Sequence, residues 1–168
     1  VNVLLVAAHR SVLGAGPIGI LLLQAVNFQG AGSITIVELD QLRADAAQAA
    51  GADRTYRSLN EVPKETFEVV IDATGIIPVM NRTTDFVKKG GTILLFGVPP
   101  KTDVSFDAFT LFLKGITILT SFTSVRNSIQ SIDLLKNKRI DVSQLISHRL
   151  LLEEFGHGVE LIKQKREN

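Results

Sequence analysis

A glycine-rich turn limits what this chain can fold into more than any other stretch does. Gly14, Gly16 and Gly19 have the spacing G-x-G-x-x-G, after two aliphatic residues and before an apolar run with helical spacing. This pattern predicts a turn that joins a β-strand to an α-helix. In such a turn the first glycine permits the sharp bend, the second lets the backbone approach a pyrophosphate, and the third lets the helix pack closely on the sheet.

The residues that open the predicted helix suit the same interpretation. Pro17 falls in the first turn, where the N–H that proline lacks would have no helical partner. Ile18 follows it. The N–H groups and the positive end of the helix dipole would face the phosphates of a dinucleotide. A phosphate site of another kind, or a glycine turn with a purely structural role, is the alternative.

An acidic residue follows the second predicted strand. Residues 33–37 are apolar and β-branched, and Glu38 comes next, about 20 residues after the glycines, where a dinucleotide fold places its ribose carboxylate. A carboxylate that accepts from both ribose hydroxyls repels a 2′-phosphate, which predicts NAD rather than NADP. Arg43 is expected to stack on the adenine. The alternatives are that Glu38 caps a helix and that Arg43 neutralises a 2′-phosphate.

Strands alternate with helices along the chain, which predicts a parallel sheet with right-handed crossovers. The fold class is therefore α/β, a doubly wound six-stranded Rossmann sheet in a single domain of residues 1–168, with strand order 3-2-1-4-5-6 expected. A helix over residues 78–88 is expected between the fourth and fifth strands. The predicted strands are residues 3–8, 33–37, 54–56, 67–73, 92–96 and 116–119.

The first of these strands has two interpretations. Residues 3–8 are a continuous apolar run, but three polar residues, His9, Arg10 and Ser11, separate them from the glycine turn. Either the strand is 3–8 with an unusual insertion, or 3–8 ends a helix and a short strand covers 11–13. We favour the first.

Small residues follow two other strands. Ala73, Thr74 and Gly75 come after the fourth strand, and Gly97 and Val98 come after the fifth. Ligands of open α/β sheets bind at the carboxyl ends of the strands, so a dinucleotide is expected to pass over these residues. The alternative is that Gly75 and Gly97 only turn the chain.

Composition excludes several other functions. The net charge of +1 predicts neither nucleic acid nor an anionic membrane as a partner. The absence of cysteine excludes disulfides, a thiol nucleophile and cysteine-containing zinc sites. No signal peptide pattern is evident, so a cytoplasmic protein is expected. The three histidines lack metal spacing, and Asp72 is expected to bond backbone at a strand end. The sequence thus predicts a cofactor site without catalytic or metal-binding residues.

Several runs of sequence are similar to one family. They include V-L-G-A-G-P-I-G, I-V-E-L-D-Q-L-R, F-E-V-V-I-D-A-T-G and K-K-G-G-T-I-L-L-F-G-V. Over residues 12–163 the chain resembles the cofactor domain of zinc-dependent medium-chain alcohol dehydrogenases, in the branch of polyol (sorbitol-like) and threonine dehydrogenases. The resemblance implies that Glu38 replaces the ribose-binding aspartate and that Arg43 is the adenine-side arginine. It also implies that Gly97 and Val98 lie near the nicotinamide.

The resemblance implies an oxidoreductase that transfers hydride between NAD(H) and an alcohol or polyol. Its catalytic zinc would lie in a separate domain, so we interpret the chain as a fragment that is inactive alone. The alternative is a stand-alone module that binds or senses a dinucleotide without catalysis. The resemblance further implies a homodimer through the edge strand at residues 115–122. A monomer in which residues 141–150 cover that edge is the competing expectation.

Overall fold

A computed structural model describes residues 7–122 and 127–167. The strands are β1 (His9–Leu13), β2 (Ser33–Val37), β3 (Arg54–Tyr56), β4 (Phe67–Asp72), β5 (Val87–Leu95) and β6 (Thr117–Thr120). The helices are α1 (Pro17–Phe28), α2 (Gln41–Ala49), α3 (Ile77–Asn81), α4 (Thr83–Phe86), α5 (Ala108–Lys114), α6 (Ser128–Lys136) and α7 (Phe155–Glu167), with 3-10 turns at Ser143–Leu145 and Leu152–Glu154. All strand pairs are parallel, in the order β3-β2-β1-β4-β5-β6, so the predicted Rossmann topology is confirmed.

The first strand differs from the interpretation that we favoured. The strand is His9–Leu13, in register with β2 and β4, whereas Ala7 lies in a turn with φ 62°. Ala7 and Ala8 instead bond the α1–β2 loop, because the Ala7 N–H donates to the Gly30 carbonyl and the Ala8 carbonyl accepts from Gly32. A strand at residues 3–8 is therefore wrong for its last two residues, and residues 3–6 lie outside the described residues.

Polar side chains do not keep β1 out of the centre of the sheet. Arg10 and Ser11 are both buried, and the Arg10 guanidinium donates to the Val26 carbonyl of α1 at 3.2 Å. Burial lowers the pKa of Arg10 from its usual value. An arginine can therefore occupy a central strand here because a backbone carbonyl of the neighbouring helix accepts from its head group.

The core occupies both faces of the sheet. On β1, Val12 packs on one face with α1 and Ala47 of α2, while Leu13 packs on the other with α4. Neighbouring strands alternate in the same way, with Val69 and Ile71 on the first face and Val70 on the second. Strands buried on both faces read as continuous apolar runs, which explains why their positions follow directly from the sequence.

The connection between β4 and β5 departs from the expected single helix over 78–88. Two short helices, α3 and α4, end at Phe86, and Val87 already begins β5. The register of β4 against β5 shifts between Phe67 and Val69, because the lysine and glycine pairs at 88–91 bulge out of the ladder. Among the described residues, no helix has the length and apolar character needed to cross a membrane.

Candidate functional site

The glycine turn lies between β1 and α1, at the carboxyl end of the sheet. Gly14 has φ +98°, a conformation that side chains disfavour, and Gly16 is the N-cap of α1. A Cβ on Gly19 would lie 2.0 Å from the Gly14 carbonyl oxygen, so the helix packs on the turn too closely for any side chain. A Cβ on Gly16 would meet nothing within 4 Å. Gly16 therefore borders open space, as the close approach of a ligand requires.

Glu38 comes directly after β2 and turns its carboxylate towards the glycine turn. One oxygen accepts from the Ala15 N–H at 2.8 Å, and the other accepts from the Asp40 N–H at 3.0 Å. The capping role that was the alternative for Glu38 belongs to Asp40, whose carboxylate accepts from the Arg43 N–H at the start of α2. Glu38 is thus left half-buried at the mouth of a cavity.

That cavity has a volume of about 560 Å³ and opens between the ends of β1, β2 and β4. Six of the predicted site residues line it: Gly14, Gly16, Glu38, Arg43, Ala73 and Thr74. Its apolar walls were missed by the motif analysis, and they include Leu39, Leu59, Ile76 and Val79. These wall residues come from three separate loops and helices, so no local sequence signal marks them.

A second cavity, of about 730 Å³, lies on the other side of the glycine turn. Predicted residues Ile18 and Val98 line it, together with Phe96, Ser121 and Ile132. The two cavities flank the start of α1, as the two halves of a dinucleotide flank its pyrophosphate. Pro17 occupies the first helical position between them.

Asp72 organises the ends of β4 and β5. Its buried carboxylate accepts from the Thr74 N–H at 3.2 Å, the Thr74 hydroxyl at 2.6 Å and the Gly75 N–H at 3.0 Å, so its predicted bonding to backbone is confirmed. A Cβ on Gly97 would lie 2.1 Å from the Gly75 nitrogen, and one on Gly75 would lie 2.5 Å from the Val98 oxygen. Both glycines allow the two strand ends to touch. Their contact with a ligand stays a prediction.

The residues present fit a dinucleotide. Open space at Gly16 admits a pyrophosphate to the first turn of α1, and the Glu38 carboxylate presents hydrogen-bond acceptors beside an apolar-walled cavity. Over the described residues, no three His, Asp or Glu side chains come together as metal ligands. The arrangement can bind and orient a nucleotide cofactor, and within the described part of the chain it offers no metal centre.

Fold and site together define a dinucleotide-binding domain of the Rossmann class. The family described as "Zinc-binding dehydrogenase" matches residues 17–137, and the chain belongs to this family. It is 34% identical over 153 residues to D-altritol 5-dehydrogenase of Agrobacterium fabrum, which covers 89% of this chain and 45% of that protein. It is 27% identical over 164 residues to sorbitol dehydrogenase of Gallus gallus, and the alignment covers 91% of this chain and 46% of that protein.

Solved structures share the fold. Alcohol dehydrogenase TADH from Thermus sp. ATN1 superposes with a TM-score of 0.85 at 25% identity, over 96% of this chain and 50% of that one. A zinc-binding dehydrogenase from Sinorhizobium meliloti 1021 bound to NADP superposes with a TM-score of 0.81 at 22% identity. The superposition covers 84% of this chain and 45% of that one. The chain spans about half the length of the curated relatives it matches.

Proposed function

We propose that this chain is the NAD(H)-binding domain of an oxidoreductase that transfers hydride between the nicotinamide and an alcohol or polyol. The observation that carries the proposal is the Glu38 carboxylate, which is held against the glycine turn at the mouth of an apolar-walled cavity. Bound NAD(H) would supply the hydride acceptor or donor at its nicotinamide ring. The residues of this chain bind and orient it.

Each part of the site has a role in this proposal. The first turn of α1 takes the pyrophosphate at Gly16, and Glu38 accepts from the hydroxyls of the adenosine ribose. Arg43, at the rim of the 560 Å³ cavity, covers the adenine. The 730 Å³ cavity beyond Ile18 and Val98 takes the nicotinamide.

The preference for NAD(H) over NADP(H) is the most direct test. Glu38 carries a negative charge where NADP(H) carries a 2′-phosphate, so the unmodified chain is expected to bind NADH at least about tenfold more tightly than NADPH. Calorimetric titration with both nucleotides measures this ratio. Glu38→Gln keeps the size of the side chain and removes its charge, so the ratio should fall towards unity. A preference of the unmodified chain for NADPH would contradict the proposal.

The chemistry of the whole enzyme is proposed from its relatives, which are dehydrogenases of altritol, arabinitol, sorbitol and threonine. We propose that a zinc ion in a domain outside these 168 residues lowers the pKa of the substrate alcohol. The chain alone should then bind NADH without oxidising any polyol and without holding stoichiometric zinc. Turnover by the purified chain, with zinc found by metal analysis, would contradict this. Polyol turnover by the enzyme that includes the additional domain separates the dehydrogenase from a stand-alone sensing module.

We also propose a homodimer through β6. Among the described residues β6 pairs only with β5, and its four residues T-I-L-T carry no charge and no proline to block a further strand. Phe122, just beyond it, is 86% exposed. In the competing cover, residues 141–150, Asp141 and Gln24 of α1 exchange two hydrogen bonds, and Leu145 packs against the central core cluster. A two-fold axis located at this edge would extend the sheet through both protomers.

A proline can test this edge without breaking the sheet. The Ser121 N–H faces β5, where it donates to the Leu95 carbonyl, so the N–H of Thr120 faces outwards. Thr120→Pro removes only that outward donor and should convert a dimer to a monomer, as measured by light scattering. Thr120→Val keeps the N–H and should stay dimeric. If the unmodified chain is monomeric, or if the proline variant stays dimeric, this interface is wrong. A cytoplasmic location is also proposed, and the net charge of +1 supports the proposal that neither nucleic acid nor an anionic membrane is a partner.

A further inference from the structure

We infer that Arg57 is a positioning residue that holds the β2–α2 loop in its ribose-binding shape and thereby sets the affinity for NAD(H). The inference rests on the proposed function. Arg57 follows β3 directly and is half-buried against the loop that carries Glu38. It belongs to no part of the glycine motif, and its position is remote from the glycines in sequence.

The guanidinium of Arg57 bonds two residues of the β2–α2 loop and the first residue of α2. Its Nε donates to the Glu38 carbonyl oxygen at 3.1 Å. Its two terminal nitrogens donate to the Leu39 carbonyl oxygen and to the Gln41 side-chain oxygen. A planar group with donors on three nitrogens can satisfy three acceptors at once, which a lysine ammonium cannot do with the same fixed geometry.

The other side of Glu38 is also fixed. Its backbone N–H donates to the Tyr56 carbonyl oxygen at 3.0 Å, which extends the β2–β3 pairing by one residue. The Arg57 N–H in turn donates to the Glu61 carboxylate at 3.2 Å. Because both backbone groups of Glu38 are tied towards β3, its side chain stays directed at the Ala15 N–H and the cavity mouth.

The loop depends on these bonds for its order. Leu39 is 74% exposed and Asp40 is exposed, so little apolar packing holds this part of the chain. A loop that is ordered before the ligand arrives loses less conformational entropy on binding. Arg57 therefore contributes to affinity by orienting Glu38, without touching the nucleotide itself.

The experiment compares Arg57→Ala with Arg54→Ala. Arg54 is an exposed arginine of β3 whose described side-chain bond is to the Tyr56 hydroxyl at 3.2 Å, so its removal costs the same charge without touching the loop. Calorimetric titrations with NADH, NADPH and ADP-ribose are expected to show that Arg57→Ala weakens the affinity for NADH and ADP-ribose about tenfold and that for NADPH less than about twofold. Arg54→Ala should leave all three affinities within about twofold of those of the unmodified chain. General destabilisation of the fold would weaken all ligands alike, so the NADH-to-NADPH ratio is the decisive readout.

Arg57→Lys separates geometry from charge. The lysine variant should regain less than half of the lost affinity, measured on a logarithmic scale, because it keeps the charge but not the three-way bonding. Full recovery by lysine, or equal effects of the Arg57 and Arg54 alanine variants, would overturn the inference while the proposed function stands. If the unmodified chain does not bind NADH, the proposed function itself fails.

Discussion

The part of the chain up to the end of β5 and the part beyond it differ sharply in how they use apolar side chains. In the described residues, every buried side chain lies between Ala8 and Ile93. Beyond that point large apolar side chains face outwards instead, including Phe109 at 68% exposure, Phe112 at 84% and Phe155 at 72%. The first region, up to the end of β5, therefore contains the core that stabilises the fold. The second region displays apolar surface that this core does not cover.

The difference has a structural origin. The strands β1, β2 and β4 have neighbours on both sides and helices on both faces, whereas β6 is a four-residue strand at the edge. The segment after α6 forms an apolar cavity of about 480 Å³ of its own, lined mainly by residues of the last helix and the turn before it. That segment also lies outside the range that the zinc-binding dehydrogenase family matches. Substitutions should therefore have large effects in the first region and small ones in the second.

The largest contrast is expected between two phenylalanines. Phe86 of α4 is fully buried against the face of the sheet formed by β4 and β5, so Phe86→Ala should lower the free energy of unfolding by about 3–5 kcal/mol. Phe112 lies on the outer face of α5, so Phe112→Ala should change it by less than about 0.5 kcal/mol in the monomeric chain. Urea denaturation at several protein concentrations measures both. A large, concentration-independent loss for Phe112→Ala would show that the second region has a core of its own.

A pair of helical glycines should give effects of opposite sign. Gly19→Ala places a Cβ 2.0 Å from a backbone oxygen, and the turn must shift, which is expected to cost about 1–3 kcal/mol. In α7 a Cβ on Gly156 would meet nothing within 4 Å, so Gly156→Ala should stabilise the chain by up to about 1 kcal/mol through helix propensity. Thermal denaturation of both variants gives the signs. Destabilisation by Gly156→Ala would mean that α7 packs more tightly than its exposure indicates.

How much the sequence predicts also differs between the regions and within the site. The buried strands β2 and β4 follow from apolar runs, and Gly14, Gly16 and Glu38 follow from motif spacing, because both signals are local. The first strand was misplaced because Arg10 and Ser11 look like loop residues until a helix carbonyl is seen to accept from the buried arginine.

Long-range contacts account for the other features that the sequence does not predict. Helix α2 packs through Ala44 and Ala47, whose small side chains let it approach the sheet, while its larger apolar residue Leu42 is exposed. Arg57 and the cavity walls at Leu59 and Val79 were missed because only the folded chain brings them to the β2–α2 loop. Motif spacing thus finds the glycines and the carboxylate that border the cavity. It does not find those that shape the walls or hold the loop.

The smallest expected contrast is between two ion pairs. Lys88 Nζ lies 2.5 Å from the Glu68 carboxylate in the first region, and Lys163 Nζ lies 2.8 Å from Glu160 in α7. Glu68 also accepts from the His9 N–H at 2.6 Å, which ties β4 to the start of β1. Burial raises the pKa of the Glu68 carboxyl, but the bonds from Lys88 and from the Glu68 and His9 N–H groups outweigh it and hold that pKa below its ordinary value of 4.5.

A lowered pKa in the folded state means that the ionised carboxylate stabilises the fold above the ordinary pKa, and that this stabilisation is lost as pH falls through the folded value. Since solvent still reaches both side chains, we expect Glu68→Gln to lower the free energy of unfolding by about 0.5 kcal/mol at pH 7. The difference in free energy of unfolding between this variant and the unmodified chain should shrink below pH 4.5. Glu160→Gln alters a pair that is more exposed to solvent, so its free energy of unfolding should match that of the unmodified chain at both pH values. Urea denaturation at pH 7 and near pH 3.5 tests both variants. If the difference in free energy of unfolding between Glu68→Gln and the unmodified chain stays constant with pH, the Glu68 side chain stabilises by packing rather than by charge.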